Sequence, residues 1–292
     1  MTVGLLYPGE MGSSLAQLLT AHGVRVVTSV AGRGVRTVSL AKTSGAVVLP
    51  SLEAVVRESD IVFSMVSTGA ALDVAISYCE LASVAPASAI YVDVNSIGPE
   101  LACSIAEKVS NAGRSVVDGA INGLAKNLAS GGTLFLSGAR SGEVAAVLGD
   151  AMRVRILGRE PGQASTMKML LGGLSKGLCG LFAELAVMAE RREMLPEMLE
   201  ACEMIYPGIM QVIDRMLPTY AKHSGRRAVE MRELEQTIQN AGVEPCVVKA
   251  IHELHDRLAS ISFDAADGAN VGTFVGRLAR ELSPARPAST SV

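Results

Sequence analysis

The sequence has few aromatic or histidine residues and no excess of positive charge. It contains no tryptophan, only 3% aromatic residues and four histidines among 292 residues, and its formal net charge is −3 at pH 7. Nucleic-acid-binding proteins usually combine a basic face with aromatic side chains that stack on bases. The composition therefore argues against a nucleic-acid partner.

Patterns typical of metal sites, disulfide frameworks and membrane spans are also missing. The five cysteines are scattered without a Cys-x-x-Cys pair, and no histidine joins a Cys/His cluster. We therefore predict reduced thiols, a cytoplasmic location and no metal site. His252 and His255, one helical turn apart, are interpreted as part of a solvated helix face. No basic region precedes the first apolar run, and no uninterrupted apolar stretch reaches about 18 residues, so we expect neither a signal peptide nor a membrane partner.

The first half of the chain alternates short apolar runs with helical segments. The predicted strands are VGLLY (3–7), RVVTS (25–29), AVVLP (46–50), IVFSMV (61–66), AIYVDV (89–94), SVVDG (115–119), TLFLSG (133–138) and RVRILG (153–158). Strands that alternate with helices indicate right-handed βαβ units. We predict an α/β fold over residues 1–162, an N-terminal Rossmann domain with a doubly wound parallel sheet.

The second half contains no strand candidates. Residues 164–194 contain no proline and are mostly apolar, which predicts a helix about 45 Å long. Because this helix is apolar nearly all round, we expect it to be buried on several sides. Residues 163–283 are predicted to form this linking helix and an all-α substrate and dimerisation domain. The proline- and serine-rich tail, residues 284–292, is predicted to be disordered.

The turn after the first strand nearly matches the dinucleotide-binding fingerprint G-x-G-x-x-G. Gly9 and Gly12 occupy its second and third glycine positions, whereas Tyr7, followed by Pro8, occupies the first. Gly9 would let the backbone approach a pyrophosphate, and Gly12 would allow close packing of helix on strand. We expect Tyr7 to replace glycine only with a negative φ. An ordinary βα turn without a ligand is the alternative. The predicted cofactor-binding residues here are Gly9, Glu10, Met11 and Gly12.

The end of the second strand bears on the choice of cofactor. NAD sites usually place Asp or Glu there to bind the ribose 2′-OH, but no acid follows this strand until Glu53. Ser29, Arg33 and Arg36 stand in its place, and hydroxyl and guanidinium groups suit a 2′-phosphate. The sequence therefore favours NADP(H), bound by Ser29 and Arg33. The alternative is that the two arginines are solvated loop residues.

Five segments, in order, resemble the β-hydroxyacid dehydrogenase family, which includes 3-hydroxyisobutyrate and 6-phosphogluconate dehydrogenases. They are GLLYPGEMGSSLA (4–16), FSMVSTGAA (63–71), VDVNSIGPE (92–100), VDGAINGLAKNLASGGTLFLSG (117–138) and GQASTMKMLLGG (162–173). The resemblance implies a loop beneath the cofactor at Val66 and Ser67, and a segment near the nicotinamide at Asn95 and Ser96. It also implies a homodimer through the helical domain.

The sequence departs from the family pattern at several positions. Asn122 stands where the family usually has serine, Leu124 replaces a glycine, and Leu171 stands where an asparagine follows the catalytic lysine. The lysine–aspartate pair that is common on a later helix is not found. The chain thus resembles a divergent branch of the family.

Lys168 is the predicted general acid/base. It lies in an apolar run near the start of the long helix, and burial would lower its pKa from about 10.4 toward neutrality. The alternative is that it extends to solvent, as we expect for Lys176. Asn122 and the Gly123 N–H are predicted to bind the substrate, with Ser96 orienting the substrate or the nicotinamide amide, whereas Asp118 is interpreted as structural, capping the substrate loop.

Arg226, Arg227 and Glu230 lie near the start of a predicted helix in the second half of the chain. They are interpreted as part of a solvated helix face, with a role in substrate specificity as the alternative.

These inferences predict an NADP-dependent dehydrogenase or reductase of a small 3-hydroxy acid or its carbonyl form. Two alternatives remain open from the sequence. One is an imine reductase or reductive aminase on the same scaffold. The other is a non-catalytic NADPH-binding protein.

Overall fold

The computed structural model describes residues 1–149 and 151–282 of the chain. The chain divides into two compact units, Met1–Met169 and Leu170–Val292, which we call the α/β unit and the helical unit. The predicted domain boundary after Gly162 lies just before the long helix, whereas the units divide within that helix. The predicted disordered tail lies outside the described residues.

The α/β unit contains one eight-stranded sheet, and every predicted strand is present. The strands are β1 (Thr2–Leu6), β2 (Arg25–Ser29), β3 (Val47–Leu49), β4 (Ile61–Ser64), β5 (Ile90–Asp93), β6 (Ser115–Asn122), β7 (Thr133–Ser137) and β8 (Arg153–Gly158), in the spatial order β3-β2-β1-β4-β5-β6-β7-β8. The connecting helices are α1 (Glu10–Ala21), α2 (Val35–Thr43), α3 (Leu52–Glu58), α4 (Ala71–Glu80), α5 (Pro99–Asn111), α6 (Leu128–Gly131) and α7 (Ser141–Leu148). The predicted Rossmann-type architecture is confirmed.

One strand pair differs from a purely parallel sheet. β6 and β7 are antiparallel, whereas β7 and β8 are parallel to each other. The segment 123–132 between β6 and β7 is too short for a parallel crossover, which needs a dozen or more residues. The short distance in sequence between the two apolar runs therefore indicates an antiparallel pair.

The central strands are buried on both faces of the sheet. Val3, Leu5 and Phe63 belong to the core on one face, whereas Leu6 and Val62 belong to the core on the other. This alternation follows the two-residue period of a strand, and helices cover both faces as parallel sheets require. The carboxyl ends of the parallel strands therefore remain the natural place for a ligand.

The helical unit is built on the long helix α8 (Gln163–Arg191), which begins in the α/β unit. The further helices are α9 (Leu195–Ile205), α10 (Pro207–Met216), α11 (Tyr220–Asn240), α12 (Cys246–Ala259) and α13 (Val271–Glu281). No strand occurs among the described residues of this unit, as the sequence predicts. Its core includes Phe182, Ala186, Ile213, Tyr220 and Phe274.

The burial of α8 differs from the expectation. Cys179, Phe182 and Ala186 are buried in the core, but Leu181 is 54% exposed and Leu174 is also exposed. α8 is long and apolar enough, by length and composition alone, to cross a membrane. Because one of its faces packs in the core of the helical unit, we interpret it as a core helix with a second, apolar face left exposed.

Candidate active site

The glycine turn places a helix N-terminus at the carboxyl edge of the sheet. β1 ends at Leu6 and α1 begins at Glu10, with Gly9 as its N-cap and no side chain capping it. The first N–H groups of a helix have no partner within the helix, and they attract anions. A Cβ built on Gly9 would meet nothing within 4 Å, and the buried Ser13 hydroxyl on the first turns of α1 has no hydrogen-bond partner among the described residues. These features fit a pyrophosphate, so this turn can hold a nicotinamide dinucleotide.

Two expectations for this turn need correction. Tyr7 has φ of +51°, so the predicted negative φ is wrong. The left-handed conformation costs an L-residue about 1–2 kcal/mol. A Cβ on Gly12 would touch Pro8 at 3.4 Å and Leu5 at 3.5 Å, which are ordinary contact distances. Gly12 is therefore less necessary for helix packing than the fingerprint suggests.

The structure distinguishes the two arginines that follow β2. The Arg33 guanidinium lies 3.6 Å from the centroid of the Tyr7 ring, whereas Arg36 forms an ion pair with Glu10 on the first turn of α1. Ser29 is buried, and its hydroxyl accepts a hydrogen bond from the Ala31 N–H at 3.3 Å. Of the predicted 2′-phosphate ligands, Arg33 is exposed and Ser29 is not.

Asn95 ties the loop after β4 to the end of β5. Its side-chain oxygen accepts from the Val66 N–H at 2.6 Å, and its amide donates to Ser64 and to Asp93. Asn95 is only 2% exposed, so it holds this loop from the protein interior. Ser67, the next predicted cofactor residue, is exposed at the start of a short 3-10 turn.

A row of buried polar residues crosses the sheet at its carboxyl edge. Ser64, Asp93, Asp118 and Ser137 are paired in register on the adjacent strands β4 to β7, and all four are buried. Burial raises the pKa of Asp93 to about 6, although its hydrogen bonds from Asn95 lower it. Sequence reasoning missed this row, although the predicted strands 89–94 and 115–119 each carry an aspartate near their end.

Asp118 caps the start of α8 and so fixes the position of the candidate acid/base. Its carboxylate accepts hydrogen bonds from the Gly162 N–H at 2.9 Å and from the Ser165 N–H and hydroxyl at 3.0 and 2.7 Å. The Ser137 hydroxyl donates to the same carboxylate at 3.1 Å. The predicted structural role of Asp118 agrees with these contacts, although it caps the long helix rather than the substrate loop.

The structure brings Lys168 and Ser96 together. Lys168, one turn after Ser165 on α8, donates from Nζ to the Ser96 hydroxyl at 2.6 Å. The backbone carbonyl of Ser96 accepts from the Thr68 hydroxyl at 2.8 Å, which links the segments after β4 and β5. Lys168 is half-buried, so the ammonium group is only partly desolvated. Ser96 is exposed, and the ammonium group is accessible from that side.

Asn122 and Gly123 lie at the far end of β6, exposed to solvent. Gly123 has φ of +149°, and a Cβ there would be 2.8 Å from the Cα of Gly132. Only glycine fits this close approach without movement of the backbone. The predicted substrate loop is therefore shaped by backbone packing, and it presents the Asn122 side chain to solvent.

Residues singled out on the helical unit are placed differently from the expectation. Lys176 does not reach solvent, because it forms an ion pair with Glu230 at 3.0 Å and its side chain is 11% exposed. Arg227 and His255 are both buried, so the solvated-face interpretation is wrong for them. Arg226 is exposed, as expected.

Within the described residues, no group of three or more His, Cys, Asp or Glu could hold a metal ion.

Comparison with known proteins gives two family matches. Residues 2–149 match the model of the NAD binding domain of 6-phosphogluconate dehydrogenase, and residues 189–258 match a domain of unknown function. An uncharacterized 28.5 kDa protein of Methanothermus fervidus is 29% identical over 85% of this chain and 95% of its own length.

Several solved structures share the fold over most of their length. One is a conserved protein of unknown function, described as structurally similar to 3-hydroxyacid dehydrogenases, with 29% identity, a TM-score of 0.72 and coverage of 88% of this chain and 96% of that chain. The 3-hydroxyisobutyrate dehydrogenase of Mycobacterium tuberculosis is 17% identical with a TM-score of 0.76, covering 94% of this chain and 98% of its own. An imine reductase of Streptomyces aurantiacus is 20% identical with a TM-score of 0.59, covering 95% and 99%.

Four of the five motif segments, those that end by residue 138, lie within the match to residues 2–149. The first match spans just over half of the chain and contains the glycine turn and the polar row. The chain therefore belongs to the β-hydroxyacid dehydrogenase family, whose members are nicotinamide-dependent oxidoreductases of the 3-hydroxyisobutyrate and 6-phosphogluconate dehydrogenase type.

Proposed function

We propose that this protein is an NADP(H)-dependent oxidoreductase that transfers a hydride between the cofactor and a small 3-hydroxy acid or its carbonyl form. The observation that carries the proposal is the 2.6 Å hydrogen bond from Lys168 to Ser96. It places an ammonium group beside a hydroxyl at the carboxyl edge of the sheet, where open α/β sheets bind ligands.

The chain's own residues account for cofactor binding. The α1 N-terminus and the open backbone at Gly9 receive the pyrophosphate, with Glu10, Met11 and Gly12 forming the first turn. Arg33 binds the 2′-phosphate beside Ser29, and the absence of an acid at this strand end favours NADP(H) over NAD(H). Val66, whose N–H donates to Asn95, and the neighbouring Ser67 would contact the nicotinamide end of the cofactor. When bound, the nicotinamide supplies or accepts the hydride.

Lys168 acts as general acid/base at the substrate oxygen. As hydride reaches a carbonyl carbon, negative charge develops on its oxygen, and a positioned ammonium group can donate the proton. In the oxidation direction the neutral amine takes that proton back. Ser96 orients the Lys168 ammonium group, while the Asn122 side chain and the Gly123 N–H bind the substrate carboxylate or hydroxyl.

An imine reductase or reductive aminase is the second candidate. The solved imine reductase and the Aspergillus terreus reductive aminase, the latter in a complex with cyclohexanone and allyl amine, share the fold. Leu171 also departs from the hydroxyacid dehydrogenase pattern. The Lys168–Ser96 pair favours carbonyl chemistry, because an ammonium group at this position can donate the proton to a developing alkoxide.

The test is an absorbance assay of NADPH over 3-oxo acids, semialdehydes and ketones, each with and without a small amine. We expect amine-independent turnover that falls at least about 100-fold in Lys168→Ala, with an unchanged Kd for NADPH. Lys108→Ala, at an exposed lysine near the end of α5, is the control. Turnover that needs the amine supports the imine reductase, and NADPH binding without any turnover supports a non-catalytic protein. Either result overturns the assignment.

We also propose that the protein is a cytoplasmic homodimer formed through the helical unit. Leu174, Leu181 and Met188 follow one another at seven-residue intervals on α8 and are all exposed, as is Leu185. A seven-residue repeat of apolar side chains is typical of helix pairing, and a large exposed apolar patch marks an interaction surface. Sedimentation equilibrium should give twice the 30.4 kDa chain mass, and Leu181→Glu should shift the species to monomer.

A further inference from the structure

The backbone of Tyr7 is in a conformation that ordinarily selects glycine. With φ of +51°, Tyr7 is one of two non-glycine residues with positive φ among the described residues, the other being Glu193. Glycine would adopt this conformation without strain. Backbone strain held at a candidate ligand site is a reason to ask what the side chain does there.

The Tyr7 ring lies between the core of the α/β unit and a cation. One side of the ring packs, partly buried, against the cluster that contains Leu6 and Val27. The Arg33 guanidinium lies over the ring at 3.6 Å from its centroid. Arg33 is otherwise exposed, and no carboxylate of residues 1–149 and 151–282 forms an ion pair with it, in contrast to the Arg36–Glu10 pair.

The geometry of this stack suits the recognition of a phosphate. A guanidinium that lies on an aromatic ring keeps its N–H donors at its edges, where they can bind a phosphate in bidentate fashion. Tyr7 directly follows β1 and Arg33 follows β2, and these strands are neighbours with Leu6 paired to Ser29. The stack therefore stands beside the pyrophosphate turn, at the strand end where a dinucleotide places its adenosine ribose.

We propose that Tyr7 determines cofactor specificity by holding the Arg33 guanidinium in place for the 2′-phosphate of NADP(H). This inference rests on the proposed function. Tyr7 is a positioning residue, because the contact with phosphate is made by Arg33. The strained tyrosine at the first glycine position of the fingerprint thereby has a function that glycine could not perform.

The test is the Kd of NADPH and of NADH for purified variants, measured by nucleotide fluorescence or calorimetry. Tyr7→Gly removes the ring and relieves the backbone, so the variant should fold. We expect its NADPH Kd to rise about fivefold while its NADH Kd stays within twofold, because NADH lacks the 2′-phosphate. Tyr7→Phe keeps the stack and should retain the wild-type NADPH preference. Arg33→Ala should lose more NADPH affinity than Tyr7→Gly, whereas Arg57→Ala, at an exposed arginine on α3, should change it little.

A double-mutant cycle separates positioning from a general effect on the turn. If Tyr7 acts through Arg33, Tyr7→Gly should have no further effect on NADPH affinity in the Arg33→Ala background. Equal weakening of both nucleotides by Tyr7→Gly, or an undiminished effect in that background, overturns the inference but leaves the proposed function intact. Failure of the wild-type protein to bind either nucleotide overturns both.

Discussion

Buried polar side chains are arranged differently in the two units. In the α/β unit they form one row along the carboxyl edge of the sheet, with Asp93 and Asp118 at its centre. In the helical unit Tyr220, Arg227 and His255 lie between helices, where they contact one another: Arg227 stacks on Tyr220, and Tyr220 is hydrogen-bonded to His255 at 2.8 Å. The polar row holds the loops and the helix start that bear candidate site residues. The group of Tyr220, Arg227 and His255 instead holds helices of the helical unit together.

The surfaces of the two units differ in a related way. The α/β unit presents helix N-terminal N–H groups, an exposed guanidinium and the Lys168 ammonium group around one sheet edge. The helical unit presents an apolar face on α8, with Leu181 at its middle. From this comparison we expect ligand binding to depend mainly on the α/β unit and the helical unit to serve mainly for packing.

The largest expected effect on stability is the loss of the Asp118 cap. Asp118→Ala leaves the Gly162 and Ser165 N–H groups and two hydroxyls without their acceptor. A buried donor left without a partner costs about 1–3 kcal/mol, so we expect the free energy of unfolding to fall by about 4 kcal/mol in urea unfolding. The exposed Glu107→Ala is the control. A loss below about 1 kcal/mol would mean that water replaces the carboxylate.

Asp93 should make the stability of the α/β unit fall as pH rises. Burial raises its pKa from 3.8 to about 6 in the folded protein, so the folded state retains a proton that the unfolded chain has released. Its favourable contribution is complete below about pH 4 and is lost as pH rises through about 6. We expect the unfolding free energy of the wild type, relative to Asp93→Asn, to decrease by up to about 3 kcal/mol over this interval. A constant difference across pH 4 to 7 would show that Asp93 does not titrate there.

Arg227 allows a test of the buried polar contacts in the helical unit, as Asp118 does in the α/β unit. It is 6% exposed, stacks on Tyr220, and donates to the Met216 carbonyl and the Thr219 hydroxyl. Arg227→Met keeps an unbranched side chain, although a shorter one, and loses these contacts, so we expect a loss of about 2 kcal/mol in unfolding free energy. Arg226→Met, at the exposed neighbour, should change it by less than about 0.5 kcal/mol. An NADPH Kd that changes in Arg227→Met would contradict the division of roles between the units.

The sequence predicts the strands well because each is a short apolar run bounded by turn residues, and the glycine turn because its residues are contiguous. Lys168 and Ser96 were predicted separately from local patterns, although they are 72 residues apart. What the sequence could not predict depends on contacts across the sheet. The cap that Asp118 provides for α8, and the buried pair of Lys176 with Glu230, join residues that no local pattern connects. The positive φ of Tyr7 is a further case, because this conformation ordinarily selects glycine and the residue type does not signal it.

The smallest expected change in stability separates binding from folding at Gly9. A Cβ there meets no protein atom, and the φ of −86° and ψ of −159° are accessible to alanine. Gly9→Ala should therefore change the unfolding free energy by no more than about 0.5 kcal/mol. The same methyl group would occupy the space through which the backbone approaches the pyrophosphate, so we expect the NADPH Kd to rise at least about tenfold. Unchanged nucleotide affinity in this variant would show that the open space at Gly9 is not where the pyrophosphate lies, and the contrast between a ligand-binding unit and a packing unit would lose its main support.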